Sequence, residues 1–297
     1  MGALLCILSA AAFGAMAIFG KLAYDEGVEV GDLLLVRFSL AAVALLAIAL
    51  ARGALRGLSR RAVLVALAMG AIGYATQSGL FFSALERMDA SLLALILYTY
   101  PVLVVAAAVA IGRERASARR VGALLIASAG VVLVLAGAAS GSFDALGAAM
   151  GFGAALAYTT YILIGDRVVS GVPLLALAAL VCTGAATSFW IAGFVRGGPD
   201  LSQSAAGLGW IGAIALVSTV GAILTFFAGL ARVGPSAAAI LSVFEPVVTV
   251  ALAAAVFGES LAVVQLVGGA LVLAAVVVMQ APGRAVARVR RDAPACA

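Results

Sequence analysis

FFSALERMDASLLALILYTYPV, residues 81–102, returns as FFAGLARVGPSAAAILSVFEPV, residues 226–247. The register is gapless: 226 minus 81 is 145, and that shift lays Phe81-Phe82 on Phe226-Phe227, Leu85 on Leu230 and Arg87 on Arg232. It also lays Ser91 on Ser236 and Pro101-Val102 on Pro246-Val247, and, outside the quoted stretch, Gly20 on Gly165 and Glu114 on Glu259. Alanine-rich segments match by chance, but Phe pairs, Arg, Pro and Glu in one register do not. The chain is built twice over.

Each copy holds five apolar stretches. They lie near residues 2–24, 31–51, 62–86, 91–112 and 119–139, then near 146–169, 172–195, 207–231, 236–257 and 262–280. Each is close to the ~20 residues that cross a bilayer as a helix. Hydrophobic residues make up 65% of the chain and charged ones 10%, with a mean hydropathy of +1.24. A soluble domain is about 45–50% apolar and about 25% charged. The runs are long and rich in Ala, Leu and Gly, unlike the alternating segments of about ten residues that build membrane barrels. Residues 9–17 are rich in small side chains like a cleavage site, but no basic segment precedes them, so this stretch reads as the first span. The expected fold is an all-α polytopic membrane protein of ten transmembrane helices. Five helices per copy is an odd number, so the second copy enters the bilayer upside down, as in many secondary transporters. Residues 1–140 form the first repeat, 141–280 the second, inverted repeat, and 281–297 a basic cytoplasmic tail.

Charge sets the orientation. Arg52, Arg56, Arg60 and Arg61 lie between helices 2 and 3, and Arg113, Arg115, Arg119 and Arg120 between helices 4 and 5. Arg284, Arg288, Arg290 and Arg291 follow helix 10, whereas Asp25, Glu26, Glu29, Asp32, Glu86 and Asp89 crowd the opposite loops. The positive-inside bias places both termini in the cytoplasm. The membrane expected is a bacterial inner membrane.

Several chemistries are excluded. The chain has no histidine, and Cys6, Cys182 and Cys296 share no metal or disulfide spacing, so no metal site and no catalytic triad is expected. No glycine loop for phosphate follows a strand, and nothing points to a cofactor or to nucleic acid. An intramembrane enzyme would need a nucleophile with its base, and none is visible.

Glu245 is the sharpest single residue, about nine positions into helix 9 and so near the bilayer midplane. A carboxylate there costs about 2.5–3.5 kcal/mol, so it faces the bundle interior, either as a group that could couple transport to a proton or as a structural hydrogen bond between helices. Ser242, Glu245 and Thr249 share one face of that helix. Pro246 removes the donor for the Ser242 carbonyl, and Pro101 does the same at the equivalent place in helix 4. Paired helix breaks mark binding sites in repeat-built transporters, although prolines also shape curvature. Further candidate lining residues are Tyr74, Gln77, Ser78 and Phe81 on helix 3, Tyr98 and Tyr100 on helix 4, and Tyr158 and Tyr161 on helix 6. Helix 8 offers Ser218, Gly221, Ala222 and Thr225 on one side. Tyrosines at such depth need partners for their hydroxyls, and aromatic walls with few charges suit a small organic solute. Lys21 and Arg37 are candidate charge partners for Glu245 or for substrate, unless they snorkel to the outer surface. Helices 5 and 10 are nearly all Ala, Val, Leu and Gly and read as lipid-facing supports.

The motifs Phe13-Gly14 with Lys21, Arg37-Phe38, Tyr98-Thr99-Tyr100-Pro101 and Glu245-Pro246-Val247 followed by Gly258-Glu259 carry a resemblance. The chain resembles the drug/metabolite transporter superfamily, in particular its EamA-like exporters, over nearly its whole length to residue 280. Within it the chain is similar to the YddG-type exporters of aromatic and other amino acids. Phe13 stands where that family usually has Trp. The resemblance implies a central cavity between helices 1, 3, 4, 6, 8 and 9, and outward movement of amino acids or related metabolites by alternating access. The expected activity is therefore export of small amino-acid-like metabolites by a protein that works as a monomer. The alternative is a multidrug exporter with a broad apolar pocket.

Overall fold

The structure, a computed structural model, describes residues 1–112, 118–138, 144–168, 171–200 and 202–280. The basic tail from residue 281 lies outside the described residues, as does Glu114, the repeat counterpart of Glu259. Among the described residues there is no strand. The chain forms successive rods: α1 (Gly2–Asp25), α2 (Val30–Ala51), α3 (Arg60–Leu85), α4 (Ala90–Ala110) and α5 (Ala118–Ala138). The second set is α6 (Ala145–Val168), α7 (Leu174–Val195), α8 (Ala205–Val233), α9 (Pro235–Leu241 with Phe244–Phe257) and α10 (Val263–Gln280). Seven of them, α1 to α4 and α6 to α8, are long and apolar enough to cross a membrane. Val121–Val134, Phe244–Phe257 and Val263–Val278 are shorter apolar helices.

In hydrocarbon every backbone group must be satisfied within the protein, so apolar runs form helices and their hydroxyls turn inward or back on the helix. Thr159, Thr183 and Ser242 donate to the carbonyls of Ala155, Ala179 and Ala238, respectively, each four residues back. The ends carry recognisable caps. Ser59 accepts from the Ala62 N–H, Ser204 from Gly207 and Asp144 from Gly147. Gly258, at φ 67°, adopts the left-handed turn that ends α9.

The packing repeats as the sequence does. Extensive pairs include α1 with α8, α3 with α6, α2 with α7, α5 with α10, α3 with α7, α1 with α9 and α4 with α6, and smaller contacts join α2 with α8 and α4 with α9. Exchanging each rod for the one five places on leaves this set unchanged, since α1–α8 becomes α6–α3. The same relation holds between single residues. A Cβ on Gly2 would lie 2.7 Å from the Arg232 Cβ, and one on Gly147 would lie 3.2 Å from the Cβ of Arg87, the counterpart pair. The outermost pair, α5 and α10, crosses where a Cβ on Gly130 or on Gly268 would come within 2.6 Å of the other's carbonyl oxygen. Its Leu125, Val132 and Val263 face outward.

Polar contacts gather alternate loops at one end. Lys21 bridges Glu259 at 3.1 Å, Arg87 bridges Asp144 at 2.9 Å, and Ser204 bonds Glu26 at 2.9 Å. Together these join the loops after α1, α3, α5, α7 and α9, which we term the odd end. At the other end Arg119 donates to the Val278 carbonyl, tying α5 to α10. The rods thus run alternately up and down.

Two kinds of irregularity interrupt them, each present in both repeats. The α4 helix breaks between Leu97 and Tyr100, and α9 between Leu241 and Phe244, one residue off the 145 shift. Pro101 and Pro246 each sit in the first turn after the break, where a missing N–H costs nothing. In addition, α3 and α8 contain π-turns, Met69–Tyr74 and Leu216–Gly221. A π-turn inserts one residue and rotates the rest of the helix by about 100°.

Candidate functional site

The broken and π-turned rods surround the middle of the bundle, where two cavities adjoin. One, of about 90 Å³, lies towards the odd end and is lined by Phe13, Met16, Arg37, Tyr74, Gln77, Ser78, Phe81, Phe82, Tyr98, Tyr158, Glu245 and Pro246, among others. The other, of about 290 Å³, reaches towards the N-terminal end past Ser9, Tyr100, Tyr161, Leu174, Cys182, Phe226, Phe227 and Ser242. Phe13, Tyr74, Tyr158 and Glu245 line both. The ten lining residues expected on helices 3, 4, 6 and 9 each face one cavity or the other, whereas those offered on helix 8 face neither. Of the two prolines, Pro246 lines the smaller cavity and Pro101 neither.

Five of the six tyrosines form a continuous wall. Ring centroids lie 5.7 Å apart for Tyr98 and Tyr100, 4.5 Å for Tyr100 and Tyr158, 6.1 Å for Tyr158 and Tyr161, and 6.0 Å for Tyr161 and Tyr74. The edge-on, tilted and stacked geometries of these pairs add modest attraction beyond area burial. Gly73 admits this wall: a Cβ there would stand 3.0 Å from the Tyr161 ring.

Glu245 sits in the first turn of the second half of α9, where a helix N-terminus favours a carboxylate. Thr249 fixes this turn against α1 by donating to the Gly14 carbonyl at 2.9 Å. Gly14 permits the approach, since a Cβ there would lie 2.7 Å from the Glu245 carbonyl oxygen. The Ser242 carbonyl, expected to stay open after Pro246 removes its helical donor, does not. It accepts from the Tyr98 hydroxyl and, at 3.0 Å, from the Glu245 N–H, because the break tightens into a three-residue turn.

Neither expected cation pairs with Glu245. Lys21 lies a layer away at the odd end, on Glu259. Glu259 also accepts from the Ala90 N–H (3.0 Å), the Ser91 N–H (3.0 Å) and the Ser91 hydroxyl (2.7 Å), capping α4 from the other repeat. Burial alone would raise its pKa, but the bonds from Ser91 and Ala90 and the Lys21 charge together hold it below the usual carboxylate value. Arg37, only 1% exposed, donates from Nε to Thr219 Oγ1 at 3.2 Å and from Nη2 to the Tyr74 hydroxyl at 3.5 Å. Its guanidinium lies 4.7 Å from the Phe38 ring centroid and 5.2 Å from that of Phe82.

Two lining elements escape a helix-by-helix reading. Arg37 adds α2 to the implied set, and Leu174, Leu177 and Cys182 add α7. On α8 the face is also different. Ile223, Phe226 and Phe227 line the cavity, while Ala222 packs on α1, where its carbonyl accepts from Ser9 at 2.8 Å. The expected face, Ser218, Gly221, Ala222 and Thr225, lies one residue, or about 100°, away, because helical spacing does not hold through the π-turn. The repeated Phe pair was the available signal for the true face. Chemically, this site is an aromatic enclosure with one carboxyl group and one guanidinium cation, suited to holding an amphipathic solute. Among the described residues no cluster of His, Cys, Asp or Glu suits a metal ion.

Comparison with known proteins agrees with the duplication. The sequence model of the EamA-like transporter family matches residues 1–136 and matches again over residues 145–280. A solved crystal structure 19% identical in sequence superposes with a TM-score of 0.67, over 98% of this chain and 99% of that one. That likeness concerns the fold alone. No curated protein matches the chain.

Proposed function

The chain belongs to the EamA-like transporter family, within the drug/metabolite transporter superfamily, and from that premise we propose that it exports small amino-acid-like metabolites across a bacterial inner membrane. Aromatic amino acids are among the substrates, as for the YddG-type exporters. The observation that carries this reading is the tyrosine wall around a cavity of about 290 Å³, which continues into the smaller space beside Glu245. Such a wall receives a flat apolar side chain, while Gln77, Ser78 and Glu245 give a polar end its partners. Those polar groups favour amino-acid-like solutes over the purely apolar drugs of a multidrug exporter.

Transport proceeds by alternating access in ten spans, with the second repeat inverted and both termini cytoplasmic. The arginine-rich even loops support that orientation. In this arrangement the odd end is extracytoplasmic and held shut by Lys21, Glu259 and Ser91, and the larger cavity lies towards the cytoplasm. Solute enters there, and release follows when the odd end parts and the other end closes.

The test is efflux from cells. Cells preloaded with radiolabelled phenylalanine and expressing the chain lose label faster than cells expressing Tyr158→Ala at equal membrane abundance. Equal efflux from both, across a panel of amino acids, would contradict the proposal.

A further inference from the structure

Among the described residues, Arg37 is the one buried cation whose charge no carboxylate answers. A guanidinium carries five N–H donors and always its charge. Here Nε and Nη2 meet two neutral hydroxyls, at 3.2 and 3.5 Å, and Nη1 meets no acceptor among the described residues. The ion pairs among those residues are Lys21–Glu259 and Arg87–Asp144, so no carboxylate reaches Arg37. Desolvating an unpaired guanidinium is costly, and stacking on Phe38 and Phe82 offsets only part of that.

The site is built, not incidental. Tyr74 is the last residue of the π-turn in α3, and Thr219 lies within the π-turn of α8. Thr219 is itself set by donating to the Ile214 carbonyl at 2.9 Å, five residues back, a spacing the π-turn creates. The paired irregularities of the two repeats therefore converge on one guanidinium, at the wall of the 90 Å³ cavity that Glu245 also lines.

We infer that Arg37 receives the carboxylate of the transported solute and that Glu245 takes its ammonium group, so that the site selects zwitterions. This rests on the exporter reading above. A zwitterion brings one charge of each sign to a cavity that offers one of each, and leaves neither protein charge unpaired in low dielectric. The smaller cavity then holds the charged head, and the side chain lies along the tyrosine wall in the larger one. Guanidinium and carboxylate match as a fork, which lysine does not reproduce.

The test is calorimetric titration of the purified full chain with three probes. They are L-phenylalanine, phenethylamine, which lacks the carboxylate, and N-acetylphenylalanine, which lacks the ammonium charge. L-Phenylalanine binds, and each analogue binds at least about tenfold more weakly, since each forfeits a charge-assisted hydrogen bond. In Arg37→Gln the preference for L-phenylalanine over phenethylamine falls to about one, and Arg37→Lys restores it only in part. Phenethylamine binding the native protein as tightly as L-phenylalanine would overturn the carboxylate assignment and leave the exporter reading standing. Equal binding of N-acetylphenylalanine would overturn the Glu245 half. Binding of none of the three overturns the zwitterion site together with the amino-acid reading beneath it.

Discussion

Tyr98 of the first repeat donates its hydroxyl to the carbonyl of Ser242 in the second, at the point where Pro246 has withdrawn the helical donor. One repeat thus completes the broken helix of the other, and the bond lies beside Glu245 on the wall of the cavity. A change in the relative position of the two repeats has to strain or break it.

Tyr98→Phe keeps the ring and removes that donor. A neutral hydrogen bond contributes about 1 kcal/mol, so the thermal midpoint falls by a few degrees and transport drops a few-fold. Tyr98→Ala and Tyr158→Ala remove the wall itself and lower transport at least about tenfold while the protein still inserts and folds. Normal transport in reconstituted vesicles by both alanine variants would show that solute contacts other faces.

Glu259 gives a prediction about access. Glu259→Gln removes the charge that holds Lys21 and the N-terminus of α4, a loss on the order of 2 kcal/mol, or roughly thirtyfold in the equilibrium closing the odd end. Ala17→Cys, on the smaller cavity, is then labelled much faster from outside than in the parent. The pH dependence has a definite sign. The folded pKa of Glu259 lies below its ordinary 4.5, so its contribution is present above that value and lost as pH falls through the folded one. Between pH 6 and 8 the parent's labelling rate, divided by that of a freely exposed cysteine to remove the change in thiolate fraction, stays flat, and a steep change in that ratio would assign the latch to another group.

Gly70 and Gly184 mark the contact between α3 and α7. A Cβ on Gly70 would overlap the Val181 carbonyl, and one on Gly184 the Leu67 carbonyl. Backbone atoms cannot give way as a side-chain tip does, so Gly184→Ala destabilises by about 1–3 kcal/mol or more. Thermal unfolding in detergent measures this; an unchanged midpoint would mean that α3 and α7 are not this close.

Topology is checked by accessibility. With Cys6, Cys182 and Cys296 replaced by alanine, a cysteine at Ser59 is labelled only from the cytoplasm and one at Gly27 only from outside. Labelling of both from one side would contradict the alternating arrangement of the rods.

Much of the fold was legible because membrane helices announce themselves by length and hydropathy, and because Phe81-Phe82, Pro101 and Glu114 recur at a fixed interval. The same regularity brought Tyr98, Tyr158 and Glu245 into view, since polar or aromatic residues deep in apolar runs have few reasons to be there. What stayed hidden depends on departures from helical spacing. Met69–Tyr74 and Leu216–Gly221 contain no proline, and glycines and hydroxyls such as Ser218 and Thr219 are equally at home in regular membrane helices, so the face of α8 was misread by one residue. Partners distant in sequence were equally invisible. The repeat marked Glu259, but that it holds Lys21 and Ser91, 238 and 168 residues away, required the folded chain.

The central claim is that the tyrosine-walled cavity moves an amino acid across the membrane. Counterflow in liposomes tests it most directly. Vesicles containing the purified chain and loaded with unlabelled phenylalanine are diluted into a trace of labelled phenylalanine. The account predicts transient, saturable accumulation of label that Tyr158→Ala largely abolishes. No counterflow for phenylalanine or any other amino acid, in vesicles that exchange an apolar drug, would contradict it.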